Sequence, residues 1–86
     1  MATVVVLGIE VEEISAEYLR FVVNNAGSGD IDKQEVRRRA LKNLGRLGCN
    51  TALFYLIEKY AGSGDEDKRE VRRMAFEGLE EIDGLQ

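Results

Sequence analysis

The sequence AGSGDIDKQEVRRRALKNL, residues 26–44, occurs again 35 residues later as AGSGDEDKREVRRMAFEGL, residues 61–79. The two copies share 13 identical residues in 19 aligned positions. Outside them the identities stop, but apolar residues remain in register over about 14–82. A repeat of this length indicates a supersecondary unit that buries its apolar face by stacking on a neighbouring unit.

Each repeat predicts two helices, and the first of each pair is expected over 15–26 and 50–61. Ser15 can cap the first of these helices, and Asn50 or Thr51 can cap its copy. The Ala-Gly-Ser-Gly stretch that follows each helix is expected to end it, because glycine disfavours helix interiors.

The second helix of each repeat is expected to begin at a capping box, with Asp32 or Asp67 as the cap and a glutamate three residues later. Gly48 and Gly84 stand where a helix ends with a residue of positive φ. Apolar residues at helical spacing predict one buried stripe on each second helix. They are Val36, Ala40, Leu41, Leu44 and Leu47, and then Val71, Ala75, Phe76, Leu79 and Ile82.

The N-terminal segment Thr3 to Glu12 lies outside the repeat and alternates like a half-buried strand. Its apolar side is predicted to hold Val5, Leu7, Ile9 and Val11. The segment can cover the open end of the first repeat, pair with the same segment of a second chain, or extend the first helix. We expect a cap or a contact of a homodimer, because two repeats are fewer than a solenoid usually needs.

The pattern from Asp32 to Leu44, and again from Asp67 to Leu79, resembles the second helix of HEAT-like repeats. The short type found in phycobilin lyase subunits is the most similar. The resemblance implies an all-α fold of four helices, stacked as two pairs in an α-α superhelix, with an extended N-terminal arm or cap. One domain over 1–86 then contains the arm (1–13), repeat 1 (14–48) and repeat 2 (49–84).

The same resemblance implies a ladder of ion pairs between neighbouring repeats. In such proteins the aspartate of the turn pairs with the arginine that follows the valine. The ladder would join Asp30 or Asp32 to Arg37 or Arg72. Asp65 or Asp67 would pair with the equivalent arginines.

Composition excludes several classes of function. The chain has no histidine and one cysteine, which removes histidine-based catalytic triads and zinc sites built on imidazole or several thiolates. Neither a phosphate-binding loop nor a dinucleotide fingerprint is present, so no cofactor is expected. The longest apolar run is six residues, whereas a membrane span needs about 20. A lone Cys49 and no visible signal peptide favour a reducing, cytoplasmic setting, with Cys49 packed as a small apolar residue.

Residues 24–35 are close to an EF-hand calcium loop, with Asn first, Gly sixth and Glu twelfth. The third position is Ala26, and the copy begins with Lys59 and also has alanine third. Too few oxygen donors remain to hold calcium, so a degenerate EF-hand is the weakest alternative.

One basic helix lies in an acidic chain: residues 32–47 carry six basic and two acidic side chains, while the chain has a net charge of −4. Acidic surroundings oppose a polyanion, so nucleic acid is an unlikely partner. The sequence predicts a non-enzymatic protein-binding or assembly module, with a second copy or another acidic protein as partner. The alternative is an accessory subunit of a phycobilin lyase-like system. The candidate contact residues are Arg37, Arg38, Arg39, Lys42 and Arg46.

Overall fold

The computed structural model describes residues 2–84. A two-stranded antiparallel sheet precedes four α helices, so the chain is mostly helical rather than all-α. The strands are β1 (Thr3–Val6) and β2 (Ile9–Glu12), followed by one 3-10 turn (Glu13–Ser15). The helices are α1 (Ala16–Asn24), α2 (Ile31–Arg46), α3 (Asn50–Lys59) and α4 (Glu66–Gly84). The four predicted helices are therefore confirmed.

The N-terminal segment is a β-hairpin, not the single strand that its alternation predicted. Val4 pairs with Val11 and Val6 pairs with Ile9 across a turn of two residues. Because that turn restarts the alternation, Val6 and Val11 are buried together, while Val5 is 71% exposed. The segment thus supplies its own partner strand and packs against α1 and α3.

The hairpin turn predicts a stabilising substitution. Leu7 and Gly8 both have positive φ, 54° and 80°, as a type I′ turn requires. Leucine adopts this conformation at a cost, whereas asparagine is favoured there. We expect Leu7→Asn to raise the free energy of unfolding by about 0.5–1 kcal/mol in urea denaturation. Val5→Asn, on the outer side of β1, is the control and should not stabilise the chain.

The second helices begin two residues earlier than predicted. Asp30 has extended backbone and accepts a hydrogen bond from the Lys33 amide at 2.9 Å, so Asp30 rather than Asp32 caps α2. Asp65 accepts from the Lys68 amide at 3.0 Å in the same way. The serine two residues before each aspartate accepts from its backbone amide, which fixes the turn.

The first helices lack the predicted side-chain caps. Ser15 precedes α1, but its hydroxyl donates to the Glu12 carbonyl oxygen. Cys49 occupies the capping position of α3, so Asn50 is already helical. Gly48 has the predicted positive φ of 71° and ends α2 in a Schellman motif, with the Cys49 amide bonded to the Leu44 carbonyl. Gly84 is the last residue of α4.

The core lies between the helices and under the hairpin. Helix α4 contacts α2 and α3, and α1 contacts α2. Leu41, Leu44, Val71 and Ala75 of the predicted stripes are buried. Four other stripe positions differ: Val36, Leu47 and Phe76 are exposed, and Leu79 is partly buried.

Helices α2 and α4 pack tightly together at two glycines, Gly45 and Gly78. A Cβ atom on Gly45 would lie 3.2 Å from the Gly78 Cα, and one on Gly78 would lie 3.1 Å from the Leu53 Cδ1. Both distances are shorter than ordinary van der Waals contact. The two repeats can therefore pack this closely only because Gly45 and Gly78 have no side chains.

Candidate functional site

Arg37 is the centre of the contact between the repeats. Its side chain is completely buried, although the sequence predicts Arg37 among the residues that contact an acidic partner. The Nη1 atom donates to the carbonyl oxygens of Asn25, Ala26 and Ser28, at 2.9–3.4 Å. These groups lie just after α1, where helix carbonyls lack partners and the helix dipole is negative. The guanidinium therefore binds the turn that follows α1, at the negative end of the helix dipole.

The other side of Arg37 faces the start of α4. Its Nη2 atom lies 3.4 Å from Asp67 Oδ1 and 3.5 Å from Glu70 Oε1. Arg38 binds Glu70 through two hydrogen bonds, at 2.9 and 3.1 Å. Carboxylates in the first turn of a helix are favoured by its dipole. Two arginines of α2 thus hold carboxylates in the first two turns of α4, Asp67 and Glu70.

These contacts change the predicted surface for an acidic partner. Arg37 is buried and cannot contact another molecule in this fold, whereas Arg38 pairs with Glu70 and keeps 45% of its side chain exposed. Arg39, Lys42 and Arg46 are exposed. Lys42 lines a shallow groove together with Glu77 and Glu81, which weakens its attraction for acidic groups.

The residues predicted to form the ladder of ion pairs have different roles in the structure. Arg37 and Asp67 form the pair between repeats, and Asp30 and Asp65 cap helices instead. Asp32 is exposed on α2. Arg72 donates from Nε to the Ile57 carbonyl at 3.1 Å and lies over the Phe76 ring at 4.9 Å.

The pKa of Glu70 carries a prediction for acid stability. The Arg38 hydrogen bonds, together with the charges of Arg38 and Arg37, lower this pKa from its ordinary value of 4.5. A carboxyl group whose pKa is lower when folded stabilises the fold fully above the unfolded pKa and loses that effect as pH falls. We expect Glu70→Gln to be less stable than the parent chain at neutral pH, with the gap closing below about pH 4.5. Glu35→Gln is the control, because Glu35 pairs at 3.7 Å with Arg39 and both side chains are exposed. A difference in stability between Glu70→Gln and the parent chain that stays constant in acid would contradict a stabilising role for the Glu70 carboxylate.

Helix α4 and the turn that follows α3 line an exposed groove, and its α4 positions are equivalent to the α2 positions that contact α4 inside the chain. The groove, called the α3/α4 face below, is lined mainly by Tyr60, Arg69, Arg72, Arg73, Phe76, Glu77 and Glu80. Phe76 stands 35 residues after Leu41; Phe76 is 41% exposed and Leu41 is 1% exposed. Arg72 and Arg73 likewise correspond to Arg37 and Arg38.

The opposite end has the complementary groove, between α1 and α2. This α1/α2 face is lined by residues that include Tyr18, Phe21, Val36, Arg39 and Asn43. Val36 is 45% exposed, whereas its equivalent Val71 is fully buried between the repeats. The two surfaces that meet between the repeats thus have equivalents at the two ends of the helical region, where no other part of residues 2–84 covers them.

Cys49 lies in the core and is free. Burial, with the nearby Glu12 charge, raises the pKa of its thiol to about 11. Since the thiolate is the nucleophile, this environment suits packing rather than catalysis.

Within residues 2–84, no group of three or more His, Cys, Asp or Glu side chains is arranged to hold a metal ion, and this includes the region compared with an EF-hand. The helices in the same range are all too short or too polar to cross a membrane.

Comparison with known proteins gives no significant match to a family model, a curated protein or a solved structure. The resemblance to HEAT-like repeats therefore stays a prediction from the sequence.

Proposed function

We propose that this chain is a non-enzymatic protein-interaction module, in which two HEAT-like helix pairs stack and bind a partner protein at an uncovered end. One observation carries the proposal. Leu41 and Val71 are buried between the repeats. The equivalent residues at the two ends, Phe76 and Val36, are exposed.

The charges around these apolar side chains support the same function. Terminal repeats that serve only as caps have polar outer faces. Here each end keeps an aromatic or branched apolar residue, bordered by arginines on α2 and α4. An apolar centre with a charged rim is typical of a surface that binds protein.

Photo-cross-linking tests this function. The full chain would carry a photoreactive phenylalanine analogue in place of Phe76 or Val36, with Glu10 on the exposed side of the hairpin as the control position. A cross-linked partner would be purified, mixed with the unmodified chain, and the mass of the complex measured by light scattering. We expect adducts from at least one end and none above background from Glu10.

The charged variants Phe76→Glu and Val36→Glu complete the test. We expect one of them to abolish the purified complex while its helical circular dichroism stays native, since both side chains are exposed. Equal binding by both variants would contradict the proposal, and so would adducts formed equally well from Glu10.

A further inference from the structure

The two uncovered faces carry charges in opposite order along their helices. On the α3/α4 face the cationic residues of α4 come first and the anionic residues follow: Arg69, Arg72 and Arg73, then Glu77 and Glu80. The side of α2 equivalent to the side of α4 that faces α2 has the reverse order: Asp32 and Glu35, then Arg39, Lys42 and Arg46. We propose, on the basis of the proposed function, that the partner is a second copy of this chain, seated with its α1/α2 face on the α3/α4 face of the first copy.

The contact between the repeats supplies the geometry of this assembly. Near the start of both helices the Arg38 guanidinium binds Glu70 at 2.9 and 3.1 Å. Near their ends Gly45 packs against Gly78, so α2 and α4 run in parallel. The repeats are related by a shift of 35 residues. A second copy that continues the same stacking therefore places its α2 on α4 of the first copy.

The acidic start of α2 matches the arginines of the α3/α4 face. In the continued stack Arg73 takes the place of Arg38, and Glu35 of the second copy takes the place of Glu70. Both side chains are accessible, because Arg73 is 67% exposed and Glu35 is 62% exposed. An arginine and a carboxylate already form a pair of hydrogen bonds at this position inside the chain. The contact between copies has the same two residue types.

The later half of the contact inverts both of its charges together. Inside the chain Lys42 of α2 lies in a groove with Glu77 and Glu81 of α4. Between copies Glu77 takes the position of Lys42. It then faces Lys42 and Arg46 of the second copy, which stand 35 residues before Glu77 and Glu81. Every sign is reversed, yet opposite charges still meet, which is the complementarity expected of an interface.

The closest point of the internal contact differs between copies. Gly45 and Gly78 are replaced there by Glu80 and by Asn43 of the second copy. A Cβ atom on Gly45 would lie 3.2 Å from the Gly78 Cα, so the copies must lie further apart than α2 and α4 do. Helices still pack at wider spacing, because the distance between their axes varies over about 8–10 Å with the side chains at the contact.

The position that replaces Gly45 has a charged partner of its own. A Cβ atom on Gly45 would lie 3.8 Å from a carboxylate oxygen of Glu81. Arg46 stands where Glu81 does, one repeat earlier. The Glu80 side chain therefore begins beside Arg46 of the second copy, and both side chains are long enough to meet across a wider gap.

The apolar centre of the contact suits the same wider spacing. Phe76 and Val36 of the second copy stand where Leu41 and Val71 stand inside the chain. Phenylalanine is larger than the leucine that it replaces, so it fills part of the added space. Seating the second copy covers both of these exposed apolar side chains.

The assembly joins two different faces and therefore leaves one face of each kind free. Within residues 2–84, no hairpin residue lines the α1/α2 face, so the segment before α1 leaves that groove open. A contact of this head-to-tail type continues past two copies, as an open chain or a ring.

Light scattering on the full chain and on two variants tests the inference. The parent mass should rise above 9.6 kDa as the concentration is raised about a hundredfold, and it should pass twice that mass. Phe76→Glu and Val36→Glu, each alone, should remain monomeric. An equimolar mixture of the two should form a complex of two chains and no larger, because only one intact pair of faces remains.

Two results of that experiment would overturn the inference. One is a parent chain that stays monomeric at every concentration. The other is a dimer that Phe76→Glu abolishes and Val36→Glu retains, because two α3/α4 faces would then bind each other.

An exchange of charges tests the register of the contact. Glu35→Arg and Arg73→Glu should each weaken self-association about tenfold, because like charges then meet. The double variant should recover it, because the opposite charges have only exchanged faces. Glu58→Arg is the matched control, since exposed Glu58 lines neither face. Equal weakening by Glu58→Arg, or no recovery in a double variant with native circular dichroism, would overturn the inference.

Failure of this inference is distinguishable from failure of the proposed function. A monomeric chain that forms adducts with a different protein from Phe76 or Val36 would overturn the inference alone. Where the adduct is the chain itself, both components of the purified complex carry the same substitution, so that every copy lacks the same face. Adducts that form equally well from Glu10 would contradict the proposed function, whatever the mass of the chain.

Discussion

Replacing Arg37 by methionine is expected to lower the free energy of unfolding by about 3 kcal/mol. Methionine fills much of the buried space but leaves the Ala26 carbonyl oxygen without the donor that Arg37 supplies. It also removes one of two donors from the Asn25 and Ser28 carbonyl oxygens. Asp67 and Glu70 then face each other with one cation fewer. Removing one partner of a buried ionic contact costs more than the contact itself contributes, because the remaining charge stays desolvated.

Arg72→Met is the matched control, because Arg72 occupies the same position in repeat 2. Its side chain is only partly buried and makes one hydrogen bond to a backbone carbonyl, at Ile57. We expect that substitution to cost less than about 1 kcal/mol in urea denaturation. Equal losses for the two variants would show that Arg37 has no special part in joining the repeats.

The second large effect is expected where Gly45 of α2 packs against Gly78 of α4. Gly45→Leu should lower the free energy of unfolding by about 2 to 3 kcal/mol, even though leucine favours the helix more than glycine does. The new side chain would start 3.2 Å from the Gly78 Cα, which is backbone and cannot rotate away. The helices would have to separate and lose contacts around Leu53 and Leu44.

Glu80→Leu is the control for this substitution, because residue 80 is the equivalent of residue 45 on the uncovered face. Its stability should stay within about 0.5 kcal/mol of the parent chain. Destabilisation of the Glu80 variant as large as that of the Gly45 variant would mean that leucine is tolerated equally poorly at both sites. The close contact between α2 and α4 would then not be the cause.

The repeat carries most of the information that the sequence holds about the fold. Helical spacing and the paired Ala-Gly-Ser-Gly turns located all four helices, because these signals are local. The hairpin was missed for a specific reason. A two-residue turn at Leu7 and Gly8 preserves the appearance of continuous alternation while reversing the chain. An asparagine at residue 7 would have been a recognisable signal.

The burial of Arg37 could have been recognised from spacing alone. Arg37 stands three, four and seven residues before Ala40, Leu41 and Leu44, on the same helical stripe as these buried residues. The sequence predicts Arg37 as a contact residue instead, because it stands in a basic run with Arg38 and Arg39. Helical spacing predicts Val36 on the stripe like its equivalent Val71, but the hairpin that precedes repeat 1 leaves Val36 45% exposed.

The capping residues show the limit of a local pattern. Asp30 and Asp32 are both good helix caps, and the glutamate at residue 35 favoured Asp32. The serine at residue 28 fixes the backbone of Asp30 instead, so the helix begins at Ile31. Two aspartates this close together are distinguished by the preceding turn, which the capping-box pattern does not include.

The central claim is that an uncovered end of the helical region binds a partner protein through Phe76 or Val36. Light scattering on the full chain, mixed with a partner purified after cross-linking at these positions, tests it most directly. The account predicts a complex heavier than the 9.6 kDa chain, which is lost in Phe76→Glu or Val36→Glu. A complex that forms equally well with both variants would contradict the claim.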